Sequence, residues 1–104
     1  HIRQSESPYA SGVVLVPKPD GSSRMCIDYR KINEITIRDS YPLPVIGQIL
    51  EAFHGAEVWT LCDCARGYYQ VPLREEDKKK TAFITHMGLF EYNVMPFGLK
   101  NAPS

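Results

Sequence analysis

The chain has 104 residues, 43% of them apolar and 11% aromatic, enough to bury roughly two-thirds of its unfolded surface if it formed one compact body. Twelve basic residues balance twelve acidic ones, so no global field draws the chain to nucleic acid, and any such binding must come from a local patch. No apolar run approaches the roughly 20 residues of a membrane span, and nothing at the N-terminus reads as a signal peptide. The first residue is His1 and residues 1–7 are polar apart from Ile2, as in an excised or processed segment. Three cysteines, Cys26, Cys62 and Cys64, without a secretory signal fit an intracellular, reduced setting.

The elements in chain order predict an α+β fold. Residues 12–16 (GVVLV) form a β-branched run and residues 24–28 (RMCID) a second strand, with PKPDGSS between them as turn chemistry for a hairpin. In YPLPVIGQILEAFHG the period changes. Val45, Ile46, Ile49, Leu50 and Phe53 recur at helical spacing, prolines precede the helix, and Gly55 is placed to end it. Residues 57–64 then read as a strand and 68–73 as a near-strand around the break at Gly67. REEDKKK (74–80) reads as a turn of helix with its acids first and its bases last, matching the helix dipole. TAFIT (81–85), a Met87-Gly88 turn and LFEYNV (89–94) make a second hairpin.

The residue with the most chemistry in it is Asp63, a single carboxylate inside the apolar run WTLCDCARGYYQVPL. Buried there, it needs a metal or a cation such as Arg66, because desolvating an unpaired carboxylate is costly. Cys62 and Cys64 share the opposite face of the predicted strand and read as small apolar packing residues, since no further ligand stands at a recognisable metal spacing. Lys18 and Arg24 flank the first turn. Such a pair either clamps a triphosphate, with lysine as a point charge and arginine as a fork, or is an ordinary solvated hairpin. Tyr68 and Tyr69 read as a core-and-rim aromatic pair on bare sequence. Arg30, Lys31 and Arg38 join Lys18 and Arg24 to make the first third locally cationic, diluted by Asp20, Asp28 and Glu34, and suited to weak, salt-sensitive binding of nucleic acid.

SPYASGVVLVPKPDGSSRMCIDYRKIN, then YPLP, then the Asp63 run, then KTAFITHMGLFEYNVMPFGLKNAPS stand in an order and spacing that resemble the reverse transcriptases of gypsy-class LTR retrotransposons. Retroviral enzymes are similar more distantly. The resemblance implies the fingers and first part of the palm of a right-hand polymerase, built of antiparallel hairpins and a few helices, an incomplete domain. Residues 1–50 would be fingers and 51–104 the start of the palm, before the Tyr-x-Asp-Asp strand. It implies an RNA-directed DNA polymerase that extends a primer with deoxynucleotides by two-metal phosphoryl transfer, inactive as this segment alone.

By the same resemblance Asp63 is the catalytic aspartate, holding Mg²⁺ (two ions in the complete enzyme, Mn²⁺ possible in their place) with the backbone carbonyl of Cys64. Lys18, Arg24, Arg66, Gly67, Tyr68 and Phe97 would contact the nucleotide, with Tyr68 as the ring that excludes a ribose 2′-hydroxyl. Asp28, Arg30, Gly98 and Lys100 would touch the template–primer. Implied partners are an RNA or DNA template–primer, deoxynucleoside triphosphates and the rest of a Pol polyprotein, including remaining palm, thumb, RNase H and integrase, with no membrane. The implied setting is cytoplasmic, in a virus-like particle, or nuclear. Two departures stand out. Ala65-Arg66 reverses the usual basic-then-small order, and Cys62 and Cys64 replace larger aliphatics. The competing class is a non-enzymatic, decayed remnant with at most weak nucleic-acid binding.

Overall fold

The computed structural model describes residues 1–104. Its first hairpin pairs β2 (Gly12–Pro17) with β3 (Ser23–Asp28), antiparallel, in register from Gly12 opposite Asp28 to Pro17 opposite Ser23. The turn closes because Gly21 takes φ +80°, a region that disfavours residues with a Cβ, and donates its N–H to the Lys18 carbonyl at 3.0 Å. Asp20 accepts from both the N–H and the hydroxyl of Ser22, at 2.9 and 2.6 Å, which holds the far side of the same turn. The second hairpin pairs β4 (Phe83–Thr85) with β5 (Gly88–Tyr92) around a glycine at φ +127°. On the other edge of β5 lies β1 (Ile2–Gln4), giving the order β1-β5-β4.

That third strand lies in the segment whose polarity predicted no element. Its polar side chains are used. Glu91 of β5 is buried and accepts hydrogen bonds from the Arg3 guanidinium at 2.8 Å and from the Ser5 hydroxyl. The Ser5 bond first, and the Arg3 guanidinium after it, hold the Glu91 carboxyl below its ordinary range against the opposing effect of burial.

The helices are α1 (Arg30–Ile35), α2 (Ile46–Ala52) and α3 (Glu75–Lys78), the last continuing as a 3₁₀ turn over Lys79–Thr81. Helix α2 occupies the segment of helical period and stops before Gly55, at φ +80°. No side chain of α2 is buried, and its apolar face is left largely uncovered, with Phe53 just past its end meeting the Trp59 ring edge-on at 6.2 Å. Helix α1 was not foreseen. It starts where the Arg30 N–H donates to the Asp28 carboxylate at 3.1 Å.

The largest departure from expectation lies at residues 57–64. They form no strand, and Val58, Trp59, Leu61, Cys62, Asp63 and Cys64 are all exposed, Leu61 at 94%. Asp63 is therefore not a buried carboxylate here, and the two cysteines do not pack in a core. The physical reason is the absence of a pairing strand: an apolar, β-prone run has strand geometry only where a neighbour satisfies its N–H and C=O groups. Residues 68–73 are likewise not a regular strand. Gly67–Gln70 form a 3₁₀ turn, after which Leu73 and Met95 N–H groups bond across to Asn93 and Val71 in a single bridge.

The two sheets meet through few groups. The Ser11 N–H donates to the Ala82 carbonyl at 2.9 Å, and the Ile84 N–H donates to the Ser11 carbonyl at 3.0 Å. Tyr29 is buried with its hydroxyl on the Thr81 carbonyl at 2.9 Å, and the Tyr92 N–H donates to the Thr81 hydroxyl at the same distance. Only eight of 104 residues are buried, and the accessible surface is 8626 Å², where a compact chain of this mass would leave about 5,900 Å². The radius of gyration, 17.4 Å, likewise exceeds the roughly 13 Å of a compact domain of this length. The burial expected of one compact body is thus not reached. No helix is long and apolar enough to cross a membrane.

Exposed apolar surface on this scale, in α2 and residues 57–64 together, drives association. The isolated 104-residue chain should sediment as a mixture of associated species and melt broadly, without a sharp two-state transition. A monodisperse monomer with a single steep melt would contradict this.

Candidate functional site

Lys18 and Arg24 stand on one face of the first hairpin. Arg24 lies directly opposite Val16, and Lys18 follows Val16 by two, continuing the ladder through its N–H to the Ser22 carbonyl at 2.7 Å. Neither side chain forms an ion pair or hydrogen bond, so both cations are available to an anionic ligand. Arg24 also borders a cavity of about 290 Å³ whose walls include Cys26, Tyr69, Tyr92, Phe97 and Gly98.

An aromatic floor is built opposite. The Phe97 ring meets Tyr68 edge-on, with centroids 4.9 Å apart and planes at 70°, and meets Tyr69 at 5.4 Å and 72°. Tyr69 in turn stacks on Tyr92 at 6.1 Å. These are the offset and T-shaped geometries that the ring quadrupole favours. Tyr68 and Tyr69 are half-buried, and Phe97 is 54% exposed, so the floor has an open side. Burial, with Tyr69 adding to it, pushes the Tyr92 phenol up to about 12, keeping it neutral beneath the cavity.

Arg66 precedes this floor in the left-handed region, at φ 54° and ψ 47°, unusual for a residue with a Cβ. Two bonds hold the bend. The Tyr69 N–H donates to the Arg66 carbonyl at 2.8 Å, and Gln70 Nε2 donates to the Ala65 carbonyl at 2.8 Å. Gly67 has room for a Cβ, which would meet only the Cys64 Cβ at 3.7 Å, so close packing does not require the glycine. Asp63 forms no ion pair and no side-chain hydrogen bond; in particular, it does not pair with Arg66. It is a free carboxylate three residues ahead of the bend.

The four residues expected on the template side have other partners. Asp28 and Arg30 form a two-point ion pair, Nε to Oδ1 at 2.9 Å and Nη2 to Oδ2 at 2.7 Å. Lys100 sends its ammonium to the carbonyls of Asn33 and Thr36, at 3.2 and 2.9 Å, closing the C-terminal end of α1. Gly98 sits at φ +94°, where a Cβ would meet the Tyr29 ring at 3.6 Å. Arg24, Phe97 and Gly98 therefore converge on one cavity, while Arg30 and Lys100 are engaged locally. Asn33, whose amide bonds the residue 98–100 turn, was missed. The available signal was an asparagine in a helix interior, where it is disfavoured unless its side chain has a partner.

No group of three or more His, Cys, Asp or Glu side chains comes together to hold a metal ion. Asp63 supplies one hard oxygen donor of the kind Mg²⁺ takes, a fit to one corner of such a site and not to a complete donor set.

The reverse transcriptase (RNA-dependent DNA polymerase) family matches residues 16–104. Over 99% of its length the chain is 49% identical to the Retrovirus-related Pol polyprotein from transposon 297 of Drosophila melanogaster, and 39% identical to the Transposon Tf2-3 polyprotein of Schizosaccharomyces pombe. It covers 10% and 8% of those proteins, so it spans about a tenth of the length of the curated relatives it matches. Among solved structures, the foamy viral protease-reverse transcriptase dRH in complex with ds DNA superposes with a TM-score of 0.78 at 24% identity, over 98% of this chain and 18% of that one. The native prototype foamy virus protease-reverse transcriptase gives 0.78 at 26% identity, over 98% and 14%. The chain belongs to the reverse transcriptase family, and its α+β fold is that of the matched part of these proteins.

Asp28 is held down to about 2, first by the Arg30 guanidinium and then by the Arg30 N–H. A depressed carboxyl contributes stability above its ordinary range near 4 and loses it as pH falls from there to about 2. Carboxyl ¹³C titration should place Asp28 near 2, and Arg30→Ala should return it toward the ordinary range. An ordinary midpoint in the unsubstituted chain would show that the pair does not form in solution.

Proposed function

We propose that this chain is the nucleotide-contacting part of a polymerase that extends a primer with deoxynucleotides on an RNA or DNA template, with residues 1–50 as fingers and 51–104 as the start of the palm. The observation that carries this is Asp63: an unpaired carboxylate, followed in the chain by a left-handed bend and an aromatic floor whose Tyr69 and Phe97 share a cavity with Arg24 of the hairpin. A solvated surface gives no reason to keep these four features together. Family membership adds that phosphoryl transfer is the chemistry to which they would belong.

In this reading Lys18 and Arg24 bind the triphosphate, the former as a point charge and the latter through its fork. The backbone N–H groups at Arg66 and Gly67 turn toward phosphate oxygens. Tyr68 closes the space beside C2′ of the sugar and so excludes a ribose, while Phe97 lies beneath the sugar. Asp63 and the Cys64 carbonyl would hold Mg²⁺ (Mn²⁺ being the other hard ion that suits oxygen donors), together with phosphate oxygens and water. Bound there, the ions supply the positive charge that two-metal phosphoryl transfer requires. Asp28, Arg30, Gly98 and Lys100 border the template–primer path, with Arg30 and Lys100 acting through the backbone they brace.

Two expectations follow from the donor set. The purified 104 residues alone should not extend a primer on an RNA template, because one carboxylate does not complete either metal site; measurable extension would refute this. In a complete polymerase carrying the segment, Asp63→Asn should lower kcat by about a thousand-fold or more with primer–template affinity unchanged, since the lost charge serves the metal. There Lys18→Ala should raise KM for nucleotide about ten-fold, a loss of about 1.4 kcal/mol of uniform binding. Tyr68→Ala should keep extension but admit ribonucleotides. Near-normal turnover by Asp63→Asn would remove Asp63 from the metal site.

A further inference from the structure

Asn33 lies within α1, outside the groups assigned above, yet its side chain spans the turn that follows Phe97. Its Nδ2 donates to the Gly98 carbonyl at 2.8 Å, and its Oδ1 accepts the Lys100 N–H at 2.9 Å. One planar amide thus satisfies the carbonyl and the N–H that flank Leu99, as the edge of a neighbouring strand would. Gly98, between Phe97 and this clamp, stands at φ +94°, which glycine adopts freely but does not hold by itself, so the clamp's bonds are what select one conformation at this flexible position. Phe97 itself is 54% exposed, so its ring is placed more by its backbone than by packing around it. The ring's neighbours are Tyr68 and Tyr69.

We propose that Asn33 is a positioning residue for sugar selection: by clamping Gly98 and Lys100 it keeps Phe97 against Tyr68, so that the Tyr68 ring cannot retreat from a 2′-hydroxyl. The inference rests on Tyr68 being the sugar gate. A gate ring discriminates only while its own position is fixed, and the edge of Phe97 at 4.9 Å is what stands behind it. Releasing the clamp frees Phe97 without touching Asp63, so selection falls while the chemical step is spared.

The test uses the complete polymerase carrying this segment. Asn33→Ala should reduce the ratio of kcat/KM for deoxy- over ribonucleotide about five- to ten-fold, with kcat for deoxynucleotide within about two-fold of the parent. Asn33→Asp keeps the acceptor for the Lys100 N–H but sets a carboxylate against the Gly98 carbonyl, so it should move the ratio the same way, and it carries the test if the alanine variant precipitates. Thr36→Val removes the 2.7 Å hydroxyl bond to the Ile32 carbonyl at the same helix end and leaves the clamp; its ratio should match the parent. Equal losses in Thr36→Val and Asn33→Ala would mean that helix stability, not the clamp, is responsible, and would overturn the proposal. Hydrogen exchange of the 97–101 peptide gives a readout free of turnover: Asn33→Ala should speed it about ten-fold. Unchanged exchange overturns the clamp whatever the kinetics. If Tyr68→Ala leaves sugar selection intact, the gate itself is wrong, and an unchanged ratio in Asn33→Ala beside a functioning Tyr68 gate overturns the clamp's role alone.

Discussion

Tyr29 follows β3 between the two sheets, where its ring is buried and its hydroxyl donates to the Thr81 carbonyl. Burial raises its phenol well above the ordinary range, which favours the neutral, donating form. Thr81 passes the connection on, since its hydroxyl accepts the Tyr92 N–H and donates to the Lys78 carbonyl. The same ring is the nearest side chain to Gly98. Together with the two backbone bonds of Ser11, this one aromatic residue sets the position of the cationic hairpin relative to the β1-β5-β4 sheet, and it bounds the turn that carries Phe97. With so few buried residues, little else could compensate for its loss.

What the sequence made legible follows from the range of the forces involved. Both hairpins could be read because turn glycines and proline punctuation act within a few residues: Gly21 and Gly88 take the positive φ their turns require. Helix α2 was legible from its period, although its apolar face remains largely uncovered. Strand β1 was not, because Arg3 and Ser5 look like solvated residues until Glu91, some 86 to 88 positions away, is placed beside them. Residues 57–64 went wrong in the opposite sense. Their composition states a preference for a pleated, half-buried surface, and a preference becomes a strand only when a partner edge is present.

The candidate site was legible to the same uneven degree. Lys18 and Arg24 lie in a hairpin that was predicted correctly, whereas Tyr68 sits in a 3₁₀ turn where a near-strand was expected; the fold brings Arg24, Tyr68 and Phe97 to one cavity or one aromatic contact. The left-handed Arg66 could not be read, since an arginine gives no signal for positive φ; the departure from the family's basic-then-small order coincides with it. Of order 1 kcal/mol or more is the usual cost of such a conformation, and it persists where neighbouring bonds over-determine it. Here the Tyr69 N–H and the Gln70 amide do so, fixing the chain direction between Asp63 and Tyr68.

Net charge was a poor guide because the cations differ in what they are already doing. Arg30 is matched by Asp28, and Lys100 is held by two helix carbonyls, so a phosphate arriving at either must compete with an existing partner. Lys18, Arg24 and Arg66 have no such partner. An incoming polyanion therefore meets unpaired positive charge along the hairpin and the bend, although the chain as a whole is neutral. Paired cations brace backbone and unpaired ones attract ligand, and this division separates Arg30 and Lys100 from Lys18 and Arg24 more sharply than their residue types do.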